Sequence, residues 1–139
     1  MRDGAGARAC LNELVTDALT LVPDCLVYLR RLENPAVFRF CAIPQVMAIA
    51  TLDKCFNNED VFTGVVKVRK GLAVSMILDS ADLDGVEKWF RSFATTIKGK
   101  ADPVSSQATS ASFFFLSRCC LLFLFGTDKG SLAQRRRNN

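Results

Sequence analysis

The chain has 139 residues, half of them hydrophobic and 23% charged, with 18 lysines and arginines against 14 acids for a net charge of +4. That length supports one modest core, and the excess charge gathers at Arg135, Arg136 and Arg137 without interleaved aromatics for base stacking, which argues against nucleic-acid binding. With no histidine, Ser/His and Cys/His nucleophile pairs and imidazole metal ligands are excluded, and six cysteines without a C-x-x-C pair read as reduced thiols.

The opening MRDGAGARA has no apolar run of the kind a secretory signal needs. Leu11, Leu14, Val15, Ala18, Leu19 and Val22 recur at spacings of three and four, which predicts an amphipathic helix over residues 10–22. Pro23 interrupts it, and Leu26, Val27, Leu29 and Leu32 resume the pattern, so the helix is expected to continue through a kink to Asn34. Asn34-Pro35 is a turn signal.

Residues 37–52, VFRFCAIPQVMAIATL, are apolar on every side, interrupted by Arg39, Pro44, Gln45 and Thr51. A segment of that kind must be buried in protein or lipid, and it falls short of the ~20 residues that cross a bilayer, so it reads as a core helix. Pro44 cannot donate a backbone hydrogen bond, which leaves the Phe40 carbonyl free and predicts a kink or a helix start there. Gln45 needs partners if it is buried. Cys25, Cys41 and Cys55 lie among apolar neighbours and read as small core residues.

The helix is expected to close at Asn57-Asn58. Phe62, Val65, Val66, Ala73, Met76 and Ile77 then predict a second helical face, although Val66-Lys67-Val68-Arg69 alternates and by itself reads as strand. Residues 79–85 read as a loop with capping aspartates, and residues 86–97 as a helix carrying Trp89, Phe90 and Phe93. After Lys98 the small, polar run GKADPVSSQATSAS reads as a flexible linker. Residues 113–125, FFFLSRCCLLFLF, are a second apolar run, shorter than a bilayer span, with Arg118 at its middle at a cost of about 2.5–3.5 kcal/mol in a membrane. Lys129 and the arginine triplet supply a positive flank.

Two blocks carry a family resemblance. FCAIPQVMAIATL and, in the same order and separation, VFTGVVKVRKGLAV at residues 61–74 resemble the squalene synthases, the farnesyl-diphosphate farnesyltransferases. The likeness starts with CLNELVTDAL at Cys10, is close to Leu78 and looser to Ser110. It implies an all-α chain, a fragment of the isoprenoid (trans-prenyl diphosphate) synthase helical fold. On that reading residues 1–9 are a non-family start, with Met1 an alternative or artefactual one; residues 10–97 are the C-terminal helices of the catalytic domain, 98–111 a flexible linker, and 112–139 a degenerate or truncated membrane anchor, an interfacial segment or non-native readthrough.

The resemblance also implies the chemistry: two farnesyl diphosphates condense to presqualene diphosphate, which NADPH reduces with rearrangement to squalene, in sterol biosynthesis on the cytosolic face of the endoplasmic reticulum membrane. Phe38 and Phe40 would face the carbocation with aromatic rings, an attraction of about 0.5–2 kcal/mol; taken alone, each phenylalanine reads as core packing. Cys41, Pro44 and Gln45 would line the same pocket. Lys67 and Arg69, with Lys70 beside them, would hold the phosphates of NADPH; a basic cluster by itself is usually a solvated face.

Magnesium in this family sits on D-x-x-E-D motifs. This chain has neither, and Phe56-Asn57-Asn58-Glu59-Asp60 and the trio Asp79, Asp82 and Asp84 read as loop and cap residues. No metal ligand is therefore expected here, and the isolated chain is expected to be inactive. The alternative is a non-catalytic helical module that binds a membrane or a partner protein through an exposed apolar face.

Overall fold

The structure, a computed structural model, describes residues 4–101. The apolar run at residues 113–125, the basic tail and most of the expected linker lie outside the described residues.

The first helix, α1 (Gly4–Leu19), begins six residues before the amphipathic pattern does and buries Val15, Thr16 and Leu19. The expected kinked continuation is instead a break. Thr20 and Leu21 form a turn, and a separate α2 (Val22–Arg30) starts with Pro23 in its first turn. The physical reason is positional: at a helix start the N–H that proline lacks has no intrahelical partner to lose. α2 ends at Arg30, four residues before Asn34.

Asn34 caps α3 (Pro35–Cys55), its side-chain oxygen accepting from the N–H of Ala36 at 2.9 Å and of Val37 at 3.3 Å. With Pro35 in the first turn, cap and proline together fix where this 21-residue helix starts, and it runs through Pro44 without a break. By length and composition alone α3 could cross a membrane. In this fold it is the central element, packed on α1, α2, α4 and α5, most extensively on α5. Phe38, Ala42, Val46, Ile49 and Ala50 bury one side of it, and fully buried alanines at 42 and 50 let neighbouring helices approach closely.

α3 stops at Cys55, and Asn57 takes a left-handed φ of 54°, which asparagine tolerates better than most residues. A short 3₁₀ turn at Glu59–Phe62 follows. The helix expected over residues 62–77 forms only from Lys70: α4 is Lys70–Asp79, and residues 65–69 have no regular secondary structure, with Arg69 in an extended conformation. Exposure there alternates, with Val66 and Val68 half-buried and Val65, Lys67 and Arg69 exposed. Three β-branched valines in four residues and Gly64 just before them disfavour helix, so the local alternation prevails over the longer apolar spacing.

A sharp corner joins α4 to α5 (Leu83–Lys100). Asp82 caps α5 by accepting from the Gly85 N–H at 2.8 Å, and the Trp89 indole donates to Asp79 at 3.1 Å while stacking on Phe93. Gly85 is required by close approach: a β-carbon there would lie 1.8 Å from the Asp79 carbonyl oxygen. α5 then buries Val86, Phe90, Phe93, Ala94 and Ile97, which with α3 form the core. Among the described residues there is no strand, and the all-α class holds.

Candidate functional site

Successive side chains on an α-helix diverge by about 100°, so the residues of α3 divide into two arcs. One arc carries Phe38, Ala42, Val46, Ile49, Ala50 and Asp53 into the core. On the other, Val37, Phe40, Pro44, Ala48 and Thr51 are exposed in a stripe about 21 Å long without a charged residue. Phe40, near the start of that stripe, is 79% exposed, whereas Phe38, about 200° round the helix, is 7% exposed. The helix therefore does not bring these two phenylalanines to one face. It does bring together Phe40, Pro44 and the half-buried Cys41, with Gln45, also half-buried, at the margin towards Phe38.

Tyr28 of α2 borders this surface. Its hydroxyl lies 3.9 Å from the Cys41 sulfur, and that contact pushes the phenol above its ordinary pKa. Tyr28 is 53% exposed, and nothing in the sequence pattern singles it out, since the contact spans two helices. An apolar helix face this open is a surface shaped to be covered. Pro44 adds a polar feature to it, because the Phe40 carbonyl has no N–H four residues on to accept from.

The second candidate region is the segment 65–69 and the start of α4. Lys67 and Arg69 are both exposed, while Val68 between them packs on the core. Among the described residues, neither they nor Lys70 take part in an ion pair. The first turn of α4 has no acidic residue and no side-chain cap. A helix N-terminus carries partial positive charge and open N–H groups, so with three cations beside it this region favours an anion such as phosphate.

The acidic clusters have structural occupations. Glu59 pairs with Arg8 at 2.9 Å, Asn58 caps the 3₁₀ turn through the Asp60 N–H, Asp79 accepts from Trp89, and Asp82 caps α5. Among the described residues no three of His, Cys, Asp and Glu come together to hold a metal. Asp53, 3% exposed, is instead satisfied by Lys100, whose ammonium lies 2.8 Å from its carboxylate and also donates to its backbone carbonyl. The sequence pattern gives no sign of this pair, which joins the ends of α3 and α5 across 47 residues.

Comparison with known proteins gives the context for both regions. The sequence model of the squalene/phytoene synthases matches residues 2–71. Squalene synthase 10 of Panax ginseng is 43% identical over 136 residues, covering 98% of this chain and 32% of its own length. The squalene synthases of Rattus norvegicus and Homo sapiens are each 50% identical, over 102 and 101 residues, covering 71% and 70% of this chain and 24% of their own lengths. The chain thus spans between a quarter and a third of the curated relatives it matches. Its all-helical architecture agrees with the isoprenoid synthase fold of that family. On the family match and these identities together, the chain belongs to the squalene/phytoene synthase family.

Proposed function

We propose that this chain supplies one helical wall of a squalene synthase active site, the enzyme that joins two farnesyl diphosphates through presqualene diphosphate to squalene. The observation that carries the reading is the charge-free open face of α3 that exposes Phe40. Allylic carbocations survive only where water and bases are kept away, and a face made of Val37, Phe40, Pro44 and Ala48 offers neither. Phe40 turns a π face to the cation; Phe38, packed behind it, holds α3 in place. Cys41, the Gln45 amide and the free Phe40 carbonyl are the few polar groups near that face, able to orient a polar substrate end or one ordered water.

Lys67 and Arg69 fit the phosphates of NADPH, by their shared exposure, their freedom from carboxylates and the helix N-terminus beside them. NADPH, when bound, supplies the hydride that ends the rearrangement. We place the enzyme at the cytosolic face of the endoplasmic reticulum membrane, where its apolar product would partition.

A chimera tests the reading. Residues 4–101 replace the matching stretch of the rat squalene synthase, and squalene is measured with farnesyl diphosphate, magnesium and NADPH. The chimera is expected to make squalene and the 139-residue chain alone to make none. A folded chimera without product refutes the proposal, and squalene from the chain alone refutes its assignment as one wall only.

A further inference from the structure

Between α3 and the basic segment the chain is held by a polar junction that the proposed chemistry does not use. The Asn57 N–H donates to the Asn12 side chain on α1 at 2.8 Å, and the Asn57 amide donates to the Lys100 carbonyl at the end of α5 at 3.1 Å. Lys100 in turn grips Asp53 near the end of α3. Asn57 therefore ties three helices together at the point where its left-handed backbone turns the chain out of α3. Two further ties follow. Asn58 donates to the Lys54 carbonyl at 2.9 Å, and Glu59 pairs with Arg8, one turn of α1 before Asn12. The Gly64 N–H closes on the Asp60 carbonyl at 2.9 Å, after which Val66 and Val68 are half-buried.

We infer that Asn12 and Asn57 are positioning residues that fix the segment carrying Lys67 and Arg69 for a dinucleotide phosphate. The inference rests on the reading of Lys67 and Arg69 given above. Phosphate recognition by two cations on a loop depends on pre-organisation, because each flexible side chain must also be ordered on binding. A segment anchored at 57, 59 and 68 has its outward side chains set before the ligand arrives. Asn12, on the polar side of an amphipathic helix, thus acts on a site it does not touch.

The test uses the full 139-residue chain, with NADPH as the probe. Affinity is measured by titration and loop order by amide hydrogen exchange over residues 65–69. Asn12→Leu removes the acceptor for the Asn57 N–H; Asn12→Asp keeps one. Asn12→Leu is expected to weaken NADPH by about three- to tenfold and to raise exchange over 65–69 but not within α3 or α5, as loss of one part-buried hydrogen bond implies, and Asn12→Asp to restore both. Asn12→Leu with unchanged affinity and exchange, or an affinity that falls only in step with the folded fraction seen by circular dichroism, overturns the positioning role. Lys67→Ala separates the two claims. If it abolishes binding while Asn12→Leu does not weaken it, only the positioning role fails. If it binds as the unaltered chain does, or that chain binds no NADPH, the phosphate reading fails and the positioning role with it.

Discussion

Truncating the two neighbouring phenylalanines of α3 gives opposite outcomes if the face assignment is right. Phe38 is 7% exposed within the core cluster, so Phe38→Ala removes most of a buried ring and leaves a cavity, at about 3–5 kcal/mol. A domain of this size has about 5–15 kcal/mol in total, so that substitution lowers the thermal midpoint by ~12 °C or more. Phe40 is 79% exposed, and Phe40→Ala changes stability by no more than about 0.5 kcal/mol. Urea and thermal unfolding of the two variants, followed by far-ultraviolet circular dichroism, measure the difference. In the rat chimera the order reverses for chemistry: Phe40→Ala loses a cation–π contact of about 0.5–2 kcal/mol, which slows squalene formation by about two- to thirtyfold in a protein as stable as its parent. Equal destabilisation by the two substitutions would refute the division of α3 into a packed and an open face. A stable Phe40→Ala chimera with undiminished turnover would leave the face intact and remove its catalytic meaning.

Three other perturbations probe what holds the two regions in place. Gly85→Ala puts a methyl group 1.8 Å from the Asp79 carbonyl oxygen, a backbone atom, so the corner between α4 and α5 must open at a cost of about 3 kcal/mol or more; Gly71→Ala, with open space around it, should stabilise by up to about 1 kcal/mol, and similar melting temperatures for the two would contradict the close approach. Lys100→Met strands the Asp53 carboxylate, whose side chain is 4% exposed, with Lys54 left at 3.7 Å, and is expected to cost about 1–3 kcal/mol; adding Asp53→Asn should recover part of this, and a double variant no better than the single one would argue against the pair. Burial, helped by the Asp24 charge, pushes the Cys25 thiol above its ordinary value of 9.0, so the folded state prefers the protonated form. Its contribution to stability is full below pH 9.0 and is lost as pH rises through the higher folded value, so the melting temperature should fall less steeply in alkali for Cys25→Ala than for the unaltered chain; identical slopes would dismiss the linkage.

The start of α3 is set locally, by Asn34 and Pro35 acting on the N–H groups next to them, although the sequence alone offers Asn34-Pro35 as a turn and Pro44 as a kink or a start. That α3 would be the central helix was legible from its apolar character on all sides. Which side would stay open was not. A helix apolar all round has no face of its own, and the choice falls to the four helices that pack on it. The polar junction was invisible for a related reason. Asn57 lies 45 residues from Asn12 and 43 from Lys100, and each alone resembles an ordinary surface residue.

The pairs Phe38/Phe40 and Lys67/Arg69 have the same spacing in sequence and opposite fates in space. Residues i and i+2 diverge by about 200° on a helix and coincide on an extended strand. Because residues 35–55 are helical, Phe38 goes to the core and Phe40 to the open face, and a shared carbocation-facing role for both is not what this geometry offers. Because residues 65–69 are not helical and their exposure alternates, Lys67 and Arg69 both stand exposed with the half-buried Val68 between them, and a joint role on phosphate becomes possible. Had the helix expected over 62–77 formed, the two cations would stand on opposite sides of it. The alternation of Val66 and Val68 with the two basic residues is therefore the feature on which the proposed phosphate role depends. A single substitution tests that dependence without touching either cation: Val66→Ala raises helix propensity and truncates a half-buried side chain, and is expected to weaken NADPH binding while Lys67 and Arg69 remain.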